Sequence, residues 1–251
     1  MKKAILLTLL FGCFVPGLSA QDSLKAIGKV VYLRAVDLPG ETPSDGPCAL
    51  YFNAERSLFV LESGYGHDGK YHPNWGKGDT TGFPILKLHR EKIQLLELNT
   101  PQYRARKRPK TVVADTLGDI AWIPVDGSGK QLGGLDCEKA TGHYRGRDYE
   151  AWYTPDIPIS SGPYKFGGLP GLILELRSTD GKVQFVFNRV ELSASITKKI
   201  VLPVPSSPPY LSYKTCKADK KKFDDDLVKK AAAQGATITI TPNEGIEWEQ
   251  K

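Results

Sequence analysis

The stretch that most constrains the fold of this chain is Gly162–Leu176, with the sequence GPYKFGGLPGLILEL. Its first ten residues contain four glycines and two prolines. Glycine adopts backbone angles that other residues avoid, and proline fixes its own φ, so this composition specifies one path for the backbone. Leu172, Leu174 and Leu176 then alternate with other residue types, as in a buried strand. The stretch therefore predicts a tight bend that leads directly into a strand of the core.

Part of this stretch, Gly168–Ile173, reads GLPGLI, and the segments Trp152–Ile159 and Gly162–Phe166 form an approach rich in aromatic residues and proline. On these residues the chain resembles the GLPGLI family of exported bacterial proteins. The resemblance implies no assigned activity, so it supplies no catalytic residue. We interpret the motif as structural, and its residues are Gly167, Gly168, Leu169, Pro170, Gly171, Leu172 and Ile173.

Residues 1–20 have the three parts of a secretory signal peptide. Lys2 and Lys3 form the charged start, an apolar run follows them, and a small-residue cleavage site precedes Gln21. The apolar run is too short to span a bilayer. We therefore expect cleavage after Ala20 and export of the remaining chain.

A lipoprotein signal is the alternative, because Leu10–Cys13 resembles the box at which lipoproteins are cleaved. Cleavage there would leave a lipid on Cys13, but Phe11 is bulky for that box, and we favour the ordinary signal peptide. We expect residues 21–251 to form a single β-rich domain in the periplasm or at the outer membrane. We expect no transmembrane span in it.

The chain is mildly basic, and its charge is spread out. Its formal net charge is +6, and loss of Lys2 and Lys3 lowers it to +4. A nucleic-acid interface needs a clustered basic stripe, so we expect no nucleic-acid partner. The basic segment 101–110 fits a solvated loop better than an anion-binding patch. We predict no cofactor, and the envelope ligand or protein partner and the oligomeric state stay open.

Three cysteines remain after export, namely Cys48, Cys137 and Cys216. An oxidising compartment permits a disulfide, and three thiols form at most one. Spacing cannot choose the pair. We prefer Cys137–Cys216, because that bridge would tie the C-terminal segment to the body of the protein. The alternative is three reduced thiols.

Most of the chain carries strand signals, and only one segment, near residues 219–235, has the periodicity of a helix. We predict a mainly β fold, a curved antiparallel sheet or half-barrel with a C-terminal helix packed on it. The expected strands are Lys29–Val36, Ala49–Phe52, Ser57–Glu62, Ile85–Leu88, Ile93–Leu98, Thr111–Asp115, Ile120–Val125, Gln131–Leu135, Arg147–Tyr153, Leu172–Leu176, a return strand that begins at Val183, and Thr237–Thr241.

Several connections are also predicted. Asp126–Gly129 and Asp180–Gly181 are typical of hairpin turns. Cys137–His143 is interpreted as a short linker or a single turn. The apolar phase slips after Phe187, which predicts a β-bulge near Asn188–Arg189. In the helix, Asp219 is expected to cap the start, and Gly235 is expected to stop it.

Two clusters offer reactive side chains. His67, Asp68 and His72 lie in a glycine-rich loop and offer metal ligands, but their spacing is not that of a helix face. Cys137 and His143 offer a thiol and a base, but no third orienting group is marked. We interpret both clusters as structural or exposed residues and predict no catalytic residue and no metal site.

An aromatic set around the motif is the candidate binding surface. Its rings and the charged residues between them fit either a groove for an apolar ligand or peptide, or simple core packing. Sequence cannot tell which rings point outward. The candidate ligand-binding residues are Trp152, Tyr153, Asp156, Tyr164, Lys165 and Phe166.

The leading functional interpretation is a non-enzymatic binding or accessory protein of the cell envelope that holds an apolar ligand, lipid or peptide. One alternative is a cysteine- or metal-dependent hydrolase. Another is a structural partner of an outer-membrane assembly.

Overall fold

The structure is a computed structural model, and it describes residues 24–38, 44–61, 85–98, 111–117, 120–192, 201–202 and 209–240. Within these ranges it contains fourteen strands and one helix. The strands are β1 Leu24–Lys25, β2 Gly28–Val36, β3 Ser44–Phe52, β4 Arg56–Leu61, β5 Ile85–Leu88, β6 Ile93–Leu98, β7 Thr111–Thr116, β8 Ile123–Leu132, β9 Leu135–Tyr144, β10 Arg147–Thr154, β11 Leu172–Ser178, β12 Val183–Leu192, β13 Val201–Leu202 and β14 Leu211–Ser212, and the helix is α1 Tyr213–Ala233.

Twelve of the strands form one sheet in the order β14-β7-β6-β5-β4-β3-β2-β12-β11-β10-β9-β8. All neighbours in it are antiparallel except β14 and β7. The remaining two, β1 and β13, pair with each other. The predicted mainly β fold is therefore confirmed. Among the described residues, β14 and β8 are the two edges of the large sheet.

The sheet is strongly bent. Asp115 on β7 lies near one edge, yet its carboxylate is 2.7 Å from Arg145 in the turn between β9 and β10, near the other edge. The concave side is filled by tightly packed side chains, and the largest of them are wholly buried. These include Tyr32, Phe52, Phe59, Tyr149, Phe166, Phe185 and Leu172.

The turn predicted between β11 and β12 and the β-bulge predicted in β12 are both confirmed. The turn between β11 and β12 lies at Thr179–Lys182, with Gly181 at φ 73°. The pairing of β12 with β2 shifts register between Phe187 and Arg189, which is the bulge that the slip in apolar phase predicts. Both features could be predicted from the sequence because each one depends on a few neighbouring residues.

The prediction for the hairpin of β8 and β9 is wrong in two respects. Asp126–Gly129 is not the turn but a bulge inside β8, because Gly133–Gly134, with φ 59° and 82°, makes the two-residue turn that suits a hairpin better. Cys137–His143 is not a linker but the middle of β9. Because the turn lies at Gly133–Gly134 and not at Asp126–Gly129, both strands are longer than predicted.

The helix begins earlier than predicted. Ser212, not Asp219, is the N-cap, and its hydroxyl accepts a hydrogen bond from the Thr215 amide at 3.1 Å. Gly235, with φ 75°, ends the helix as predicted. The expected final strand is not formed, since residues 236–240 have no regular structure and the rest of it lies outside the described residues.

No residue of α1 is buried. The helix contacts the sheet through its first turn, where the Tyr213 ring lies 4.2 Å from the Arg145 guanidinium and 4.4 Å from Lys165 Nζ. No helix in the described part of the chain has the length and hydrophobicity that crossing a membrane requires.

Candidate functional site

The motif loop, which we define as residues 160–171 between β10 and β11, is fastened to the sheet by a buried lysine. Lys87 on β5 is wholly buried, and its Nζ donates to the carbonyls of Gly162 at 2.6 Å and Phe166 at 2.8 Å. Burial lowers the pKa of Lys87 well below its ordinary value. A neutral amine still carries two N–H bonds, one for each carbonyl, so the contact does not need the charge.

Lys87 belongs to a row of buried polar residues beneath the motif loop. Ser57, Lys87, Gln94 and Asp115 face one another in register across β4, β5, β6 and β7. Among the described residues, Gln94 Oε1 is the one buried side-chain oxygen of this row without a hydrogen bond. The row gives an apolar sheet a polar stripe to which the backbone of the motif loop can bond.

At one end of the row, Ser57 joins a chain of hydroxyls to a histidine. His89 Nδ1 lies 3.2 Å from the Ala54 carbonyl and must donate to it, so Nε2 accepts from the Ser57 hydroxyl at 3.0 Å. The Ser57 oxygen lies 2.8 Å from that of Ser161 in the motif loop. Both serines are wholly buried. A dissolved substrate cannot reach them, so this serine–histidine pair is structural.

At the other end, Asp115 binds two cations. Its carboxylate receives both contacts of Arg145 Nη2, at 2.7 and 2.9 Å, and that of Lys165 Nζ at 3.1 Å. Burial raises the pKa of Asp115, but the hydrogen bond from Arg145 and the charge of Lys165 outweigh it, so the pKa is lowered. Tyr213 covers this ion group, which thus joins the sheet, the motif loop and the helix.

Two positions of the motif require glycine for steric reasons. Gly168 has φ 95°, where side chains are strained. A Cβ on Gly171 would lie 2.2 Å from the Thr154 carbonyl oxygen. The Trp122 indole also holds the loop by donating to the Gly167 carbonyl at 2.8 Å, and just after the loop the Tyr32 hydroxyl donates to the Ile173 carbonyl at 2.8 Å. The contacts of the motif are thus internal ones.

A groove of about 580 Å³ opens elsewhere, at the end of the β8–β9 hairpin. Its volume is in the range of sites that bind small molecules or short peptide segments. One wall is β8, the other is the turn that follows β10, and β9 lies between them. The lining residues are Ser128, Gly129, Lys130, Gln131, Asp136, Cys137, Glu138, Pro155 and Asp156.

The groove is rich in carboxylates. Asp136, Glu138 and Asp156 are all exposed. Glu138 accepts a hydrogen bond of 2.5 Å from the Tyr153 hydroxyl. Burial and this bond raise the pKa of Tyr153 to about 12, so the tyrosine keeps its proton.

One lysine lines the groove, and it is already engaged. Lys130 Nζ lies 3.1 Å from Glu175 Oε1 and 4.4 Å from the centre of the Trp152 ring. Arg177 reaches the same carboxylate oxygen at 3.3 Å. The positive charge of Lys130 is therefore directed at its own neighbours, and the groove keeps its acidic character.

Cys137 lies in the groove lining but is poorly suited to be a nucleophile. Burial raises the pKa of its thiol to about 11, and the charges of Asp136 and Asp156 act in the same direction. His143 lies six residues away on the same strand, a separation of about 20 Å, and it pairs with Asp148 at 2.7 Å. The structure therefore does not assemble the thiol and the imidazole into a catalytic pair.

The six candidate binding residues divide into two groups. Asp156 lines the groove, Tyr153 holds the lining residue Glu138, and Trp152 stacks against the lining residue Lys130. The other three belong to the motif loop. Lys165 is buried against Asp115, Phe166 is wholly buried against Tyr144 and Tyr149, and Tyr164 is half-buried with its ring 6.4 Å from that of Phe59.

The preferred disulfide is not formed. Cys48, Cys137 and Cys216 are all thiols in the structure. Cys216 lies in the first turn of α1, which contacts the β9–β10 turn, whereas Cys137 lies on the order of 25 Å along β9 from that turn. A bridge requires the two Cα atoms within about 7 Å. The predicted pairing is therefore wrong because the length of β9 keeps Cys137 far from Cys216, and sequence spacing alone does not show this separation.

The described residues contain no group of three or more metal-ligating side chains. His67, Asp68 and His72 lie outside these residues. Sequence reasoning missed Lys87 and Asp115. Lys87 left one signal, because it shares a strand face with Ile85 in a run that is otherwise apolar.

Comparison with known proteins finds one family model that matches part of the chain. A family model described as "Protein of unknown function (Porph_ging)" matches residues 103–175, which include the groove lining and the whole GLPGLI motif. No curated protein matches the chain.

Among solved structures, the chain is similar to one described as "Structure of PNGF-II in P21 space group". The TM-score is 0.52 at 16% identity, and the match covers 78% of this chain and 33% of that one. The same protein in a C2 crystal gives 0.49 at 13% identity, with 77% and 33% covered. The chain thus spans about one third of that protein, and the likeness concerns the fold alone.

A third structure, "Crystal structure of MucB in complex with MucA(peri)", gives a TM-score of 0.33 at 12% identity. This match covers 75% of this chain and 62% of that one.

Proposed function

We propose that this chain is a non-enzymatic binding protein of the GLPGLI type in the bacterial cell envelope, and that its binding site is the groove at the end of the β8–β9 hairpin. One observation carries the proposal. The groove exposes three carboxylates, Asp136, Glu138 and Asp156, whereas the polar groups of the motif loop bond inside the protein.

A peptide fits this site better than a lipid. The concave side of the bent sheet is filled by large side chains such as Phe52, Phe166 and Phe185, all wholly buried. An acyl chain needs a long apolar cavity, whereas six of the nine residues that line the groove are polar or charged. Polar backbone and side chains along a strand suit a peptide.

The hydrolase alternative has less support. The Cys137 thiol, with a pKa near 11, is protonated at neutral pH and lies far from His143. The metal-dependent form would use His67 and His72, which lie outside the described residues.

Export is part of the proposal and rests on residues 1–20. N-terminal sequencing of the protein from its native host tests it. We expect the mature chain to begin at Gln21 and to lie in the periplasm or at the outer membrane. A lipid-modified Cys13 would show that the lipoprotein reading is the right one.

Native mass spectrometry of protein purified from its own envelope tests the binding role. We expect a bound species on the wild type that Gly129→Leu lacks, because a leucine there fills the groove. A Cβ on Gly129 meets no atom closer than 3.9 Å, so the fold should tolerate the change. Val125→Leu, on the same strand outside the lining, is the control. Equal occupancy of wild type and Gly129→Leu would contradict the proposed site.

A further inference from the structure

The strand that forms one wall of the groove is also an edge of the sheet. Among the described residues, β8 pairs only with β9. An edge strand presents unpaired N–H and C=O groups on its outer side, and an extended peptide can add to them as a further strand. This inference rests on the proposed binding role of the groove.

The two halves of β8 differ in how open they are. The first half carries Pro124, Asp126 and the bulge between Val125 and Gly129, and these are devices that discourage pairing. The second half, Gly129–Leu132, pairs regularly with β9, and its one charged residue, Lys130, is engaged with Glu175. It also supplies three of the lining residues. A peptide would therefore pair with this second half.

Gly129 clears a path from the edge into the groove. It lies opposite Glu138 in the register, as Gln131 lies opposite Asp136. Because Gly129 has no side chain, nothing on β8 stands between an added strand and the Glu138 carboxylate. Strands lie about 4.8 Å apart, so the long side chain of a lysine or arginine on the added strand can cross to β9.

Charge selects the chemistry of the peptide. The groove exposes Asp136, Glu138 and Asp156, and its lysine is engaged with Glu175. The whole chain has a formal net charge of +6, so an acidic groove is a local property of this surface. Complementary charge steers and orients a partner.

We propose that the groove binds an extended basic segment of a partner protein, added as a strand along Gly129–Leu132. Alternate side chains of the segment point to the groove. A lysine or arginine at the position beside Gly129 binds Glu138, and basic residues on the same face lie near Asp136 and Asp156. The side chains of the segment that point away from the groove can carry any charge.

Fluorescence anisotropy with labelled synthetic peptides tests the charge. The probe is a peptide of about nine residues that alternates lysine with threonine. Its matched control carries glutamate in place of lysine. We expect binding of the lysine peptide only, and affinity lower by about tenfold for the triple variant Asp136→Asn/Glu138→Gln/Asp156→Asn. Asp126→Asn, an exposed acid outside the lining, should bind as the wild type does.

Alternate N-methylation tests strand addition. One version of the lysine peptide is methylated at the lysines and the other at the threonines, so each keeps hydrogen-bond donors on one edge only. Strand addition predicts that one version binds and the other does not. Equal binding of both versions, equal binding of the glutamate peptide, or undiminished binding to Gly129→Leu would overturn the inference.

The two proposals can fail separately. If native mass spectrometry finds a groove ligand that Gly129→Leu lacks but no lysine peptide binds, the basic-strand inference is wrong and the binding role stands. If neither experiment detects groove binding, both are wrong.

Discussion

The motif loop and the groove are both polar regions of a largely apolar β fold, but they use their polar groups in opposite ways. Beneath the motif loop, the side chains of Lys87, Asp115 and Ser57 are buried and hold the backbone or side chains of residues 161–166. In the groove, Asp136 and Asp156 are exposed. A buried polar group must find a partner inside the protein, whereas an exposed one is available to a ligand.

The comparison separates a recognisable motif from a usable surface. The GLPGLI segment is the most distinctive part of the sequence, yet its glycines allow close packing, as at Gly171 against the Thr154 carbonyl. The groove is built from common residues that no motif marks. We therefore expect substitutions in the motif loop to change stability and substitutions in the groove to change binding.

The largest effect is expected for Gly171→Val. A Cβ there would lie 2.2 Å from the Thr154 oxygen, so the start of β11 must move away from the end of β10. We expect a loss of about 3 kcal/mol or more in the free energy of unfolding, which urea denaturation measures. Ser128→Ala, in the groove, is the contrast. An unchanged midpoint for Gly171→Val would mean that the motif does not make the fold.

Asp115→Asn should come next. The substitution leaves the buried Lys165 and the partly buried Arg145 without their carboxylate, with an expected cost of about 3 kcal/mol. The folded pKa of Asp115 is lowered, so the wild type loses this stabilisation as pH falls through that pKa, below about pH 4. Melting curves between pH 7 and pH 3 should show a smaller acid loss in the variant. An equal loss of stability in the wild type and the variant at low pH would contradict a stabilising role of the Asp115 carboxylate.

Lys87→Met tests the lysine beneath the motif loop. It leaves the carbonyls of Gly162 and Phe166 without a donor, with an expected cost of about 2 kcal/mol. The folded pKa is lowered, so the unfolded chain binds the extra proton and the stability of the wild type rises with pH up to about 10.5. The variant should lack this rise, and Lys222→Met, on the exposed helix, should keep it. If the stability of Lys87→Met rose with pH as steeply as that of the wild type, the rise would come from a group other than Lys87.

Cys137→Ala should have a modest effect. We expect a loss of about 1 kcal/mol for a buried thiol and unchanged ligand occupancy. With a pKa near 11, about a thousandth of the thiol is ionised at pH 8, so alkylation of the folded protein should be slow. Rapid alkylation of Cys137 at neutral pH, followed by mass mapping, would revive the hydrolase alternative.

The smallest effect on stability is expected for Gly129→Leu, within about 0.5 kcal/mol, because an added Cβ meets no atom closer than the Cys137 carbonyl oxygen at 3.9 Å. Its effect on binding should be the largest of the set. Thermal melting and peptide anisotropy on the same sample measure both. A large loss of stability would mean that the groove is part of the core packing and would weaken the contrast with the motif loop.

Sequence predicted the fold well where the signal was local. The bulge after Phe187 and the turn at Gly181 each follow from a few neighbouring residues. The β8–β9 hairpin was predicted wrongly because two glycine-containing turns competed, and the choice between them depends on pairing across both strands.

The candidate site was predicted only in part. Trp152, Tyr153 and Asp156 lie at or beside the groove, but Lys165 and Phe166 are buried in the motif loop. Sequence distance explains the difference. The contact of Lys165 with Asp115 spans fifty residues, and no local pattern announces a partner at that separation.

Hydrogen exchange, resolved by residue with NMR, tests the contrast between the two regions most directly. The amides of Leu172 and Ile173 donate to the carbonyls of Ile157 and Ser161 at 3.0 and 2.9 Å, so we predict exchange only on global unfolding. The outward amides of Gly129–Leu132 should exchange quickly and become protected when the lysine peptide is added. Fast exchange at Leu172 and Ile173, or peptide-induced protection there and not on β8, would contradict the account.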